Sequence, residues 1–265
     1  MKKNYRIADK VISVDSLFES VHLLCRDYLT EEPADFAVRI LPDMIEEEQE
    51  KAAREAIQEG RKPRKWSDAY LEELAVYRKI AEKMPEYDTV LIHGSAVAVD
   101  DEAYLFTAPS GTGKSTHTRL WRELFGERAV IVNDDKPLLR IGKDQTVIYG
   151  TPYDGKHHLS TNIAVPLKAI CFLKRGRENH IRELSEREVF QRLFAQVYRP
   201  EDSSALQKTL ELLTRLIKLV SFYELTCNMD PEAALVAYEG MNPRKTAAEG
   251  KKALEEGDRR ADRQF

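Results

Sequence analysis

The chain has 265 residues, 42% hydrophobic and 32% charged, enough for one good core or one core plus a small extra domain, which excludes disorder throughout. Its 41 basic and 45 acidic residues leave a net charge of -4, so no global field favours nucleic acid or an anionic membrane, and any phosphate binding must be local. Cys25, Cys171 and Cys227 are odd in number and lack CxxC spacing, which argues against a disulfide framework and a structural zinc site.

The opening stretch, MKKNYRIADKVISVDS, has no continuous apolar segment, and nowhere do about 18 apolar residues run together, so the expected location is cytoplasmic. Tyr5 to Ile7, Val11 to Val14 and Asp35 to Ile40 alternate as strands and predict a small sheet. Leu17, Val21, Leu24 and Tyr28 have helical spacing between those strands, with Asp15 or Ser16 as N-cap. Pro42 then breaks the chain. Ile45 to Ile57 is dense in Glu and Lys and reads as a solvated helix or connector, followed by the turn residues Gly60 to Pro63. A firmer helix is expected over Ser67 to Met84, where Leu71, Leu74, Ala75, Ile80 and Ala81 make an apolar stripe behind Ser67 or Asp68, and Pro85 ends it. Residues 1–86 are therefore expected to form an N-terminal α+β region, and 87–241 the main α/β unit.

Val90 to Ile92 predicts a strand ending at His93-Gly94, and Ala96 to Val99 a second one before the Asp100-Asp101 turn. Tyr104 to Phe125, YLFTAPSGTGKSTHTRLWRELF, reads as strand, glycine-rich loop and helix in direct succession, the arrangement of a phosphate-binding loop. Gly111 and Gly113 lack the Cβ atoms that would keep the backbone from wrapping an anion. Ser110, Gly111, Thr112, Gly113, Lys114, Ser115 and Thr116 are the candidate nucleotide-binding residues. Lys114 is expected on the outer phosphates and the Ser115 hydroxyl on Mg²⁺, with the positive end of the helix aimed at the same charge. Leu120, Trp121, Leu124 and Phe125 predict the face of that helix that packs on the sheet.

Ala129 to Val132 is a buried-strand run that ends at Asn133-Asp134-Asp135-Lys136. Alone, this is a polar turn. Downstream of a phosphate loop, one carboxylate is expected to organise Mg²⁺ or to accept the proton of an attacking hydroxyl. Val147 to Tyr149 predicts a strand leading into Gly150 to His158, whose Lys156, His157 and His158 are candidate substrate or phosphate contacts, against a plain loop. Leu167 to Leu173 reads as a buried strand ending in basic residues, among them Arg175, a surface residue or a phosphate contact if this strand ends beside the loop. Ser185 to Glu188 is a capping box, Ser203 to Val220 an amphipathic helix with Leu206, Leu210, Leu213, Ile217 and Val220 inside, and Phe222 to Leu225 a last strand. Asp230-Pro231 is expected to cap a final helix, and 242–265 reads as a charged flexible tail.

Together, IHGSAVAVDDEAYLFTAPSGTGKST and VIVNDDKPLL resemble the core of HPr kinase/phosphorylase and its relatives. The resemblance covers mainly 90–184. It implies an α/β fold of the HPr-kinase and PEP-carboxykinase type, a P-loop core with a mixed central sheet, the small N-terminal α+β region standing outside it. It also implies ATP-dependent phosphoryl transfer to a hydroxyl, with Asp134 as base, Mg²⁺ at Ser115 and Asp135, and His93 beside the γ-phosphate. Thr116 stands where HPr enzymes usually carry an acidic residue. The better match is therefore to stand-alone relatives, some of which phosphorylate a serine ending a peptide precursor, or free serine. The expected acceptor is a peptide or protein serine, or else a small hydroxyl metabolite. A nucleotide-binding regulatory module with little transfer is the alternative. A homo-oligomer is left open.

Overall fold

The computed structural model describes residues 1–58, 60, 62–155 and 158–242. The N-terminal hairpin pairs β1 (Lys2–Ile7) with β2 (Lys10–Asp15) across Ala8-Asp9, both at positive φ, the two-residue turn whose twist suits a hairpin. β3 (Phe36–Arg39) adds parallel to β2. The helix between them is shorter than its spacing predicts: α1 (Ser20–Leu24) is followed by a single 3-10 turn, and neither Asp15 nor Ser16 caps it. The Ser16 hydroxyl instead binds His22 and the Phe18 carbonyl, and Leu17 is exposed.

Pro42 does not break the chain; it starts α2 (Pro42–Gln58), as suits a residue with fixed φ and no N–H to lose in the first turn. Nor is α2 fully solvated. Ile45 and Ala56 are buried, and Glu48, 3% exposed, takes a bidentate grip from Arg78 at 2.6 and 2.9 Å. Arg78 belongs to α3 (Asp68–Lys83), which Ser67 caps by accepting the Tyr70 N–H. Glu72, also on α3 and fully buried, accepts the N–H groups of Leu17 and Phe18, so the small sheet is tied to this helix.

Among the described residues the larger sheet has nine strands, in the order β4 (Thr89–Leu91), β8 (Leu138–Ile141), β9 (Thr146–Tyr149), β10 (Ala164–Arg175), β6 (Glu102–Thr107), β5 (Ser95–Val99) and β7 (Ala129–Asn133), with β12 (Ser221–Cys227) beside β10 and β11 (His180–Glu183) beyond it. It is mixed. β6 runs parallel to β10 and β10 to β12, while β5 is antiparallel to both β6 and β7. β4 lies at the far edge, so the strands before and after His93-Gly94 are not partners. β8 and β11 carry no sequence signal of their own strength: each is four residues long, one opening after a proline and the other polar.

α5 (Glu186–Phe194), with its capping box at Ser185 and Glu188, and α6 (Ser203–Leu219) cover one stretch of core. α6 is turned from the expected stripe: Leu212, Leu213 and Leu216 are fully buried, whereas Leu206 and Leu210 are only partly so. α4 (Lys114–Phe125) and α7 (Glu232–Met241) pack on another stretch, around Tyr104, Phe106 and Trp121. Leu124, expected against the sheet, is 43% exposed, and Pro231 stands at the N-cap of α7, not at its first turn. A third cluster joins α3 and the N-terminal sheet to Leu91, Leu138 and Tyr149 of the larger sheet and to Tyr153 in the loop after β9. The tail expected over 242–265 lies, after Asn242, outside the described residues.

Candidate functional site

Strand direction brings the candidate residues to one edge. β6, β7, β10 and β12 end there, and β5 begins there, because Ser95 pairs with Phe106 and Ala96 with Asn133. His93, the 108–113 loop, Asp134-Asp135 and Arg175 are therefore neighbours at the carboxyl end of the parallel strands, where open α/β sheets bind ligands.

The loop leaves β6 at Thr107, whose hydroxyl donates to the His93 carbonyl at 2.7 Å. Gly111 (φ 78°) and Gly113 (φ 122°) both occupy conformations that side chains resist, and Gly113 serves as the N-cap of α4. The Lys114 side chain is buried and its ammonium donates to the Ala108 carbonyl at 3.0 Å, folding the charge back under the loop. Burial pushes its pKa down, against the pull of Asp135. Ser115 is exposed on the first turn. Behind it, Thr118 shares a hydrogen bond with Ser95 at 2.9 Å, which pins α4 to β5.

Asn133 makes the acidic turn. Fully buried at the end of β7, its amide oxygen accepts the N–H groups of Asp135 and Lys136 at 2.9 and 2.7 Å, and its amide nitrogen donates to Thr151 at 3.0 Å. This side-chain turn aims the two carboxylates differently. Asp134 is 5% exposed and accepts the Gly155 N–H at 2.6 Å. Asp135 is more open, and its carboxylate lies 3.5 Å from His93 Nε2, while its carbonyl accepts the Gly94 N–H at 2.9 Å. Burial, then the nearby Lys114 charge, lowers the His93 pKa, and Asp135 opposes them only partly, so the imidazole is neutral at neutral pH.

A cavity of about 900 Å³ gathers His93, Ser110, Gly111, Gly113, Lys114, Ser115, Thr116, Asp134 and Asp135. Three further candidates stand apart. Thr112 and Arg175 line a second cavity of about 460 Å³ that shares Gly111, Gly113 and Thr116 with the first. Arg175 donates to the Gly111 and Thr112 carbonyls, so its guanidinium holds the loop and does not face the acidic turn. His158, at positive φ, binds Asp154 Oδ1 at 2.8 Å. Lys156 and His157 lie outside the described residues.

Part of the lining of the larger cavity was not legible as site residues: Arg64, Trp66 and Tyr70 line it from the N-terminal region. Asn133 and Tyr77 were missed too. Tyr77 on α3 stacks on Tyr153 at 3.9 Å and donates to the Lys136 carbonyl at 2.5 Å. Only the Asn-Asp-Asp run carried a signal, because asparagine before a turn commonly bonds the backbone two residues on.

The observed class is a mixed α/β protein. No family model matches the chain, and no curated protein does. Among solved structures it is similar to the HPr(Ser) kinase/phosphatase from Coxiella burnetii, with 12% identity over 63% of this chain and 96% of that one, and a TM-score of 0.33. A likeness of that strength decides neither fold family nor function. Among the described residues no helix is long and apolar enough to cross a membrane.

Proposed function

We propose that this chain is a cytoplasmic kinase using Mg²⁺ and ATP to phosphorylate a serine-type hydroxyl, of a peptide or protein before a free small molecule. The observation that carries this reading is the meeting, in one cavity, of a loop with two positive-φ glycines and a lysine, and a strand-ending turn with two carboxylates. A loop alone suits any nucleotide-binding module; the acidic turn facing it suits transfer.

The Gly111 to Thr116 backbone turns N–H groups toward the phosphates, and Lys114, released from the Ala108 carbonyl, neutralises their charge. Ser115 and Asp135 both open on the cavity with oxygen donors of the kind Mg²⁺ takes, and the ion, when bound, spreads the charge developing on the transferred group. Asp134 accepts the proton as the acceptor oxygen forms its bond to the γ-phosphorus and the bond to the bridging oxygen breaks, releasing ADP. His93, neutral and beside Asp135, orients that carboxylate and lies at the γ-phosphate end.

The test is incubation of the protein with γ-labelled ATP and Mg²⁺ against free serine, serine-ended peptides and HPr. Label on one acceptor supports the kinase. Tight ATP binding with no labelled acceptor would instead support the regulatory module.

A further inference from the structure

The acidic turn ends in a cation whose backbone is held from several directions. The Lys136 N–H donates to the Asn133 amide oxygen at 2.7 Å, the Tyr77 hydroxyl donates to the Lys136 carbonyl at 2.5 Å, and the Thr151 hydroxyl lies 3.1 Å from the same carbonyl. Pro137 follows, steering Lys136 away from the helical region, and its own carbonyl accepts the Ile92 N–H at 3.3 Å. Lys136 is half-buried, lines the larger cavity with His93, Lys114, Asp134 and Asp135, and has no ion pair among the described residues.

The other charges on this cavity have different commitments. Of its acids, Asp134 accepts the Gly155 N–H, Asp135 lies 3.5 Å from His93, and Glu55 stands 3.5 Å from Arg78, which is itself spent on the buried Glu48. Of its cations, Lys114 is folded under the loop on the Ala108 carbonyl, and Lys62 and Arg64 belong to the N-terminal region, the Arg64 guanidinium lying over the Trp66 ring. Lys136 differs in coming from the turn that carries the two carboxylates. Burial first, then Lys114 and more weakly Lys136, lower the His93 pKa, so ammonium groups from the glycine-rich loop and from the acidic turn both act on one imidazole. An anion taken in among these three side chains is favoured by both charges, and more so once water is displaced. A phosphoryl group in transfer is such an anion, its charge spread over three oxygens.

We propose that Lys136 is a further catalytic residue: its ammonium pairs with the oxygens of the phosphoryl group during transfer, from the acidic turn, while Lys114 does so from the loop. This rests on the kinase reading above. As the acceptor oxygen bonds to the γ-phosphorus, its proton goes to Asp134 and the electron pair of the breaking bond goes to the bridging oxygen of ADP; Lys136 keeps its proton throughout and supplies charge and donors alone. A lysine that only offset the charge of Asp135 would act otherwise: its loss would tighten Mg²⁺ binding and leave transfer intact.

The test uses Lys136→Met, which removes the charge at similar length, and Lys136→Arg, which restores it. Single-turnover transfer from γ-labelled ATP is measured beside calorimetry of Mg²⁺ and ADP with and without fluoroaluminate, which stands in for the phosphoryl group in transfer and needs no turnover. Wild type is expected to bind ADP more tightly with fluoroaluminate. Lys136→Met should lose about tenfold or more of that gain and about a hundredfold in the rate of transfer, the usual worth of a donor aimed at developing charge. Its ADP and ATP affinities should stay within about threefold of wild type, and Lys136→Arg should regain part of both losses. Transfer by Lys136→Met at the wild-type rate overturns the inference and leaves the kinase standing. So does a loss of ATP affinity as large as the loss in rate, which would make Lys136 a contact of the bound nucleotide and not of the group in transfer. If no acceptor is labelled but fluoroaluminate tightens ADP binding in wild type and not in Lys136→Met, the kinase reading falls and the Lys136 contact stands. No labelled acceptor, together with the same response to fluoroaluminate in both proteins, sinks both.

Discussion

The Asp134 carboxylate and the Gly155 backbone are fitted to each other: the N–H of Gly155 donates to Oδ1 at 2.6 Å, and a Cβ on Gly155 would stand 2.7 Å from Oδ2. The glycine is required here by close approach and not by a special backbone angle. It leaves the carboxylate a hydrogen-bond donor and a fixed direction.

Gly155→Ala is therefore expected to push Asp134 aside without touching the glycine-rich loop. Transfer to the best acceptor should fall by about tenfold or more, since small misplacements of a reacting group are costly, while ATP affinity stays within about threefold. Single-turnover transfer and calorimetry check this together. Full transfer by the alanine variant would show that the Asp134–Gly155 contact has no part in the chemistry.

Asp134→Asn keeps the shape and an oxygen that can accept from Gly155, but removes the base. The expected loss in turnover is on the order of 10² to 10⁴, with ATP affinity nearly unchanged. Asp135→Asn should act differently, by raising the Mg²⁺ concentration needed for half-maximal rate. If Asp134→Asn transfers at the wild-type rate, Asp135 or His93 takes its place as candidate base.

Arg175 and Lys114 should separate loop support from phosphate contact. Arg175→Ala removes the donors to the Gly111 and Thr112 carbonyls from an exposed site, and a loss of about tenfold in ATP affinity is expected. Lys114→Ala removes the charge itself and should cost more, up to about a hundredfold. Because Arg175 acts on the loop, its variant should weaken inorganic triphosphate and ATP alike, and should loosen backbone amide exchange at 111–113. An Arg175→Ala protein with unaltered exchange there would leave the guanidinium without a positioning role.

The pH dependence of stability should carry the mark of His117. Buried on the inner face of the loop helix α4, it accepts the Trp121 indole N–H at 3.1 Å, and burial pushes its pKa down to about 4. Unfolded, it takes a proton near its ordinary 6.5, so its contribution is complete above that pH and is lost as pH falls from 6.5 toward 4. The magnitude is on the order of 3 kcal/mol. Urea midpoints between pH 7 and 4 should fall for wild type and fall less for His117→Gln, whose amide can still accept from Trp121. Parallel slopes for the two proteins would remove His117 from acid sensitivity.

What the sequence by itself determined is local. The Asp100-Asp101 turn, the glycine pair with its following helix, the capping box at Ser185 and the strand ending at Asn133 are each written in neighbouring residues, because turn and cap chemistry acts over two to four positions. Helix stripes were legible in outline but not in rotation: α6 buries Leu212 and Leu216 because Thr209 and Ala205 let it approach on that side, and no count of apolar residues reports that. The short strands β8 and β11 exist by virtue of their partners. Only the tertiary structure decided that Arg175 grips the loop backbone, that the buried Glu48 of an apparently solvated helix pairs with Arg78, and that Trp66 and Tyr70 line one cavity with Asp134 and Asp135. These relationships join residues tens of positions apart, and they are set by strand order and packing, to which a local pattern is blind.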